Sequence, residues 1–514
     1  MANGKNEPVF ELIKSMSKSE KRNFKLFATR LQGNQDAKFL ALFDAIDGMD
    51  AFDEDKVLKR APVKKVQLSN MKAHLYKQIL ISLRLMNVQH YPDLQLREQV
   101  DFAKILYNKG LYRQSLKILD KAKQMAIQLM QNTIALEIVE FEKMIESQYI
   151  TRSISNRADI LTSEAIGLNN SIQTTNEFSN LALQLYGLYL KVGYARNSKD
   201  VAYVQTFFEH NLPKYDPEKL GFSEKMYLYQ AYVWYYSIIQ DFVSCYRYAQ
   251  RWVDLFKEHP QLKQGMVSFY IKAYNYLLES LFYMRYYSKF WEVLTELQKE
   301  IETDAEIFDD NSEMLAQSCI LTHKVNLHYM EGSFTKGLAL IPELKSFLSH
   351  HSERIDEHHV LVFYYKIACL YFGSGDNKNA IVYLNKIIST RDSDVRSDIQ
   401  CFARILNLIA NYEAGNDANL EYQIKSVYRF LVKMDDLHKV QTEIINFLKN
   451  LGNIYATDIK REFKRLHDRL VPYENHPYEK RPFLYLDIIS WLESKMYNKP
   501  VQEIIRDKFL KVNR

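Results

Sequence analysis

Glycine and proline are scarce in this chain. Together they make 26 of its 514 residues, under half of the roughly 12% usual in folded domains. So few turn formers leave room for little but long helices. Cysteine is rarer still. Cys245, Cys319, Cys369 and Cys401 are widely spaced and fall inside helical patterns, so no disulfide framework has a supporting spacing. They read as free core thiols in a reducing compartment. No apolar run approaches the ~20 residues of a membrane span, and the opening MANGKNEPVF lacks the apolar stretch of a secretory signal. A cytoplasmic protein with no membrane partner is expected. Also missing are a phosphate loop, a dinucleotide glycine motif, HExxH, paired CxxC and a nucleophile elbow. Neither an enzyme nor a cofactor site is expected. Gly373-Ser374-Gly375 lies between two helical patterns rather than after a strand, and reads as a turn.

What is present is apolar and helical. Hydrophobic residues make 47% of the chain, enough for a folded protein. The net charge of +5 is unevenly spread. Residues 1–90 carry 16 Lys and Arg against 10 Asp and Glu, and residues 457–514 carry 13 against 9. The ends are therefore basic and the centre mildly acidic, so they face different partners or each other.

Residues 1–90 read as a basic helical domain or cap. Ser17-Lys18-Ser19-Glu20 has the form of a capping box. The helix after it sets Phe24, Phe27, Ala28 and Leu31 opposite Lys21, Arg22, Lys25 and Arg30. A second helix is expected around Ala37 to Ile46. A third, Ser69 to Met86, presents Leu75, Ile79, Leu80 and Leu83. The basic face has the charge of a nucleic-acid contact, but the solvated face of a solenoid cap looks the same.

From about 91 to 456 the chain repeats. Tyr364, Ile367, Ala368 and Tyr371 share one helix face, and Ala380, Tyr383, Leu384 and Ile387 share the next. Gly375-Asp376-Asn377 turns the chain between them. A pair this short cannot bury its apolar face alone, which implies stacked neighbours. Equivalent reversals fall at Gly110, Gly193, Gln240, Arg285, Gly332 and Gly415. A small or apolar residue follows five positions on, as with Ser115, Cys245 and Ala380. The double gap from 110 to 193 implies a further pair turning near Ser153. After Gly415 the pattern fades, and residues 457–514 read as basic C-terminal capping helices, with Lys460, Arg461, Lys464, Arg465 and Arg469 on the first.

Ala103, Leu106, Gly110, Tyr112, Leu119 and Ala122, and again Ala368, Tyr371, Gly375, Ala380 and Leu384, give the chain a resemblance to the tetratricopeptide repeat superfamily over roughly 360 residues. The resemblance implies an all-α, right-handed solenoid of helix pairs. Between Gly193 and Gly415 the turns lie 40 to 47 residues apart, against 34 in the standard repeat, so the helices should be longer. The opening FELIKSMSKSEKRNFKLFA also looks like the start of a family of uncharacterised bacterial helical-repeat proteins.

Two constellations stand out. His350-His351 and His358-His359 have the spacing to share a metal ion, with Asp356 or Glu357 adding a carboxylate. No cysteine is near and the acidic residues serve as helix caps, so a solvated connection without metal is expected. Residues 201–291 hold 26 of the 68 Phe, Tyr and Trp. In MYLYQAYVWYYSII, alignment with Tyr364, Ile367, Ala368 and Tyr371 turns Tyr229, Tyr232, Val233 and Tyr236 inward. Tyr227, Gln230 and Trp234 then fall on the face that lines the inner groove in the resembling superfamily. Asn275, Glu279, Phe282 and Tyr283 are the equivalents in the next unit, and Thr322, Asn326 and Tyr329 in the one after. Such aromatics suit a partner-binding face, with Trp234 partly exposed as its anchor. Extra packing between long helices is the alternative.

The expected function is a non-catalytic protein- or peptide-binding scaffold. The alternative is a peptide-sensing regulator whose basic N-terminal helices contact nucleic acid or an effector protein. It resembles bacterial cytoplasmic peptide-receptor regulators, although residues 1–90 show no clear helix-turn-helix glycine.

Overall fold

The computed structural model describes residues 7–30, 36–148, 156–195, 197–352, 354–390, 397–416, 420–433, 439–450, 458–476, 483 and 487–512. Every regular element among them is a helix. The chain divides into two compact units, residues 1–169 and 170–514, within helix Arg157–Val192.

In the first unit the capping box forms as its spacing predicts. The Ser17 N–H donates to Glu20 Oε2 at 2.7 Å, and the Glu20 N–H donates to Ser17 Oγ at 3.2 Å. Phe24 and Ala28 are buried; Leu31 lies outside the described residues. Helices Asp36–Asp47 and Lys65–Asn87 follow. Leu75 and Ile79 are buried, whereas Leu80 is 44% exposed, one residue past the apolar stripe. Residues Val9 to Ile79 share one apolar cluster and Leu96 to Ile145 another. Beside the second lies an ion cluster. Lys123 Nζ meets Glu142 and Glu164 at 2.7 Å each, and Arg157 meets Glu142 at 3.1 Å. Burial pushes the Glu142 carboxyl up despite its cationic neighbours, so removing either cation strands a buried charge.

The reversal points agree with the backbone. Gly110, Gly193, Gln240, Arg285, Gly332, Gly375 and Gly415 all have φ between +55° and +91°. An eighth, Met130 at +56°, was not legible because methionine does not advertise a left-handed turn. All but Gly193 share one bond, from the N–H after the turn residue to the carbonyl four before it, as Asp376 N to Tyr371 O at 2.9 Å. This is the Schellman closure, which satisfies carbonyls the helix leaves open. The turn expected near Ser153 lies outside the described residues.

Small residues five positions after most of the turns sit where helices cross, although Ser198, after Gly193, is exposed. Ser115 is buried and its hydroxyl donates to Ala103 O at 2.8 Å. Ala380 is fully buried. A Cβ on Gly337 would come within 2.7 Å of Leu370. In the second unit each first helix packs on its second helix or on the next first helix: Val267–Tyr283 on Asp310–Glu331, that helix on Glu357–Ser374, and the last on Ser397–Glu413. This packing is consistent with a helical repeat.

The chain end does more than cap the last pair. Helix Val501–Val512 packs on Asp310–Glu331 and Glu357–Ser374. The Thr335 hydroxyl donates to Gln502 Oε1 at 2.8 Å, and Tyr287 meets Phe509 edge-on at 4.7 Å. The approach is closest at Gly332, where an added Cβ would lie 2.5 Å from Arg506 N.

Candidate functional site

The expected groove residues divide by burial. Trp234 is 5% exposed and Gln230 is 7% exposed, so the expected partial exposure of Trp234 does not hold. The physical reason is the helix itself. Phe222–Ile238 is apolar on nearly all sides, the pattern of a helix enclosed all round, and its groove positions meet the neighbouring first helices. Trp234 packs on Tyr186 and Tyr189 at 5.0 Å and on Tyr276 at 5.1 Å. Its indole N–H is buried with no acceptor among the described residues. On the opposite side Val233 is buried, while Tyr232 stacks on Tyr248 at 4.1 Å. Much of the aromatic excess is therefore packing between long helices.

Tyr227, Asn275, Glu279, Phe282, Tyr283 and Tyr329 are half-buried and Asn326 is buried. Around Asn326 runs a row of polar groups through three successive first helices. Lys366 Nζ donates to Asn326 Oδ1 at 2.6 Å, Asn326 Nδ2 lies 3.2 Å from His323 Nδ1, and His323 Nε2 lies 3.0 Å from Asn275 Oδ1. An ammonium only donates, so the Asn326 amide must turn its NH₂ to His323 Nδ1, and the imidazole proton must sit on Nε2. Burial, helped by the Lys366 charge, pushes His323 down to about 3. Burial likewise lowers Lys366 to about 8, against the pull of Glu279. Tyr329 closes the row, its hydroxyl donating to Lys366 O at 2.6 Å.

His323 and Lys366 were not singled out from the sequence, although a histidine in ILTHKVNL and a lysine in YYKIACLY interrupt apolar helical faces. Phe282, Tyr283 and Tyr329 also line a cavity of about 120 Å³ with Phe334, Phe372 and, from the C-terminal segment, Phe483, Asp487, Val501 and Ile505. No local pattern links residues 150 positions apart, so this wall was illegible.

The basic N-terminal face is partly spent. Lys21 pairs with Asp47 and Lys25 with Asp44, both at 2.7 Å, while Arg22 and Arg30 are exposed. At the histidine cluster Asp356 caps helix Glu357–Ser374, accepting from His359 N at 2.9 Å. The His359 side chain holds the Asp356 carboxyl down at about 2. No three His, Cys, Asp or Glu side chains converge as metal ligands among the described residues. All four cysteines are buried and none is in a disulfide, and burial pushes Cys245, Cys319 and Cys369 up to about 12, which keeps those three protonated and unreactive. No helix among the described residues is long and apolar enough to cross a membrane. Comparison with family models, curated proteins and solved structures gives no match.

Proposed function

We propose that this chain is a non-catalytic binder of an extended peptide or protein segment, a cytoplasmic bacterial scaffold built as a right-handed solenoid of tetratricopeptide-like pairs. One observation carries the reading: the side-chain row from Asn275 through His323 and Asn326 to Lys366 crosses three successive first helices. Its outer members keep unspent donors. Lys366 has three N–H groups and the Asn275 amide has two, of the kind that main-chain carbonyls of an extended ligand accept. Half-buried Tyr227, Glu279 and Tyr283 offer contact area and charge beside them. The regulator reading has less support, since two of its four basic side chains are already neutralised by Asp44 and Asp47.

Affinity capture from the native cell, followed by mass spectrometry, tests the reading. Asn275→Ala and Glu279→Ala are expected to lose a partner that the parent chain retains, and Asn275→Ala also to melt lower, because it takes the acceptor from the buried His323 Nε2–H. Retention of every partner by both variants would overturn the assignment to this face.

A further inference from the structure

The aromatic cavity at the C-terminal segment shares only Tyr283 with the peptide-binding reading. We propose that it binds a small organic cation, a substituted ammonium whose head lies among the rings against Asp487. The cavity is about 120 Å³, close to the ~150 Å³ apolar cavity known to take a benzene, and a trimethylammonium head is of that size. Phe282, Tyr283, Tyr329, Phe334, Phe372 and Phe483 make six of its thirteen lining residues. Rings present partial negative charge on their faces, and quaternary ammonium ions are the ligands that rings in number select.

The surrounding charges favour the same sign. Phe282 and Tyr283 end helix Val267–Tyr283, Met330 stands in the last turn of Asp310–Glu331, and Gly373 in that of Glu357–Ser374. Three helix C-termini, each with partial negative charge, therefore border one cavity. The first turns of Ile488–Tyr497 and Val501–Val512 oppose them in part, and Asp487 caps the former. Cys369 is pushed up to about 12 by burial, so it contributes no thiolate.

Only Arg285 and Asp487 bring full charges to the lining. Their pairing is long, at 3.7 Å, and the arginine side chain is 62% exposed against 23% for the aspartate. The carboxylate is the more buried of the two, its Oδ1 accepting from Ser490 N at 3.0 Å and its Oδ2 from the Ser490 hydroxyl at 2.8 Å. An entering ammonium takes the guanidinium's place, and the arginine moves into water at little cost. Arg285 also holds a left-handed φ of +55°, where glycine is free of strain. Its removal therefore does not threaten the fold.

Calorimetric titration of the full chain with choline, beside its uncharged isostere 3,3-dimethylbutan-1-ol, tests the proposal. Choline is expected to bind, and the isostere about tenfold more weakly or not at all. Arg285→Gly is expected to tighten choline several-fold and to leave the melting temperature equal or higher. Asp487→Asn keeps an oxygen to cap Ser490 N but takes the acceptor from the Ser490 hydroxyl, and is expected to lower the melting temperature modestly and to weaken choline about tenfold at a temperature where the variant is fully folded. Equal binding of the two probes would reduce the cavity to an apolar one and overturn the proposal. So would weaker choline binding in Arg285→Gly, the signature of an anion site, or no choline binding up to about 10 mM.

Discussion

Trp234 shows what a single side chain decides in this fold. Enclosed by Tyr186, Tyr189 and Tyr276, it belongs to the packing between first helices. Trp234→Ala is expected to cost ~3–5 kcal/mol, read as a lower urea midpoint. Trp234→Phe should cost much less, since it keeps a ring and removes an N–H that has no acceptor. An unchanged midpoint in Trp234→Ala would show that the ring is not core. His323 makes a separate prediction. Its folded value, about 3, lies below the ordinary 6.5, so the unfolded chain takes up a proton that the native state refuses. Stability should therefore fall as the pH drops from about 6.5 toward 3, by at most ~1.4 kcal/mol per unit for this group. His323→Gln, which keeps a donor and an acceptor, should flatten that part of the stability–pH curve. An identical slope in the variant would place the titration elsewhere.

At the scale of the element, one turn repeats with different residues for different reasons. Gly110 and Gly375 would meet nothing within 4 Å of an added Cβ, so alanine there should cost only the left-handed penalty of ~1–2 kcal/mol. Gly332 differs, because its Cβ would strike the backbone of Arg506 and Gln502 at 2.5 and 2.7 Å. Gly332→Ala is expected to loosen helix Val501–Val512, seen as faster amide exchange across 501–512, while Gly110→Ala leaves that helix protected. Gln240 keeps a strained φ of +61° for a tertiary reason: its amide donates to Ala195 O at 3.0 Å. The turn geometry was legible at seven of the eight expected points, the one near Ser153 lying outside the described residues. What each turn residue touches was not, because that depends on chain segments distant in sequence.

For the whole molecule, charge sets the expected partners. If residues 1–90 bound nucleic acid, affinity would fall with salt at a slope near −0.9 per phosphate neutralised. With Lys21 and Lys25 paired to Asp47 and Asp44, binding through this face must break those pairs or rely on Arg22, Arg30 and the exposed Lys18 beside them. No binding to duplex DNA is therefore expected at 50 mM salt by fluorescence anisotropy, a modest ionic strength that leaves phosphate contacts strong. A salt-sensitive complex lost in Arg22→Ala with Arg30→Ala would revive the regulator reading.

The helical class, the capping box at Ser17 and seven reversal points were determined by the sequence alone, because each depends on residues within a turn or two of one another. Helical periodicity did less for Glu357–Ser374, where Ile367 and Ala368 of the expected face are buried but Tyr364 and Tyr371 are half-buried, and Phe363, Tyr365 and Leu370 on other sides are buried too. It failed at Trp234, where the helix is covered on two sides and a one-sided pattern has no meaning. The tertiary structure alone decided the polar row through His323 and Lys366, and the return of the C-terminal helix to Gly332. Those contacts join segments 40 to about 170 residues apart. Their energy comes from burial and close approach between helices, which no local spacing encodes.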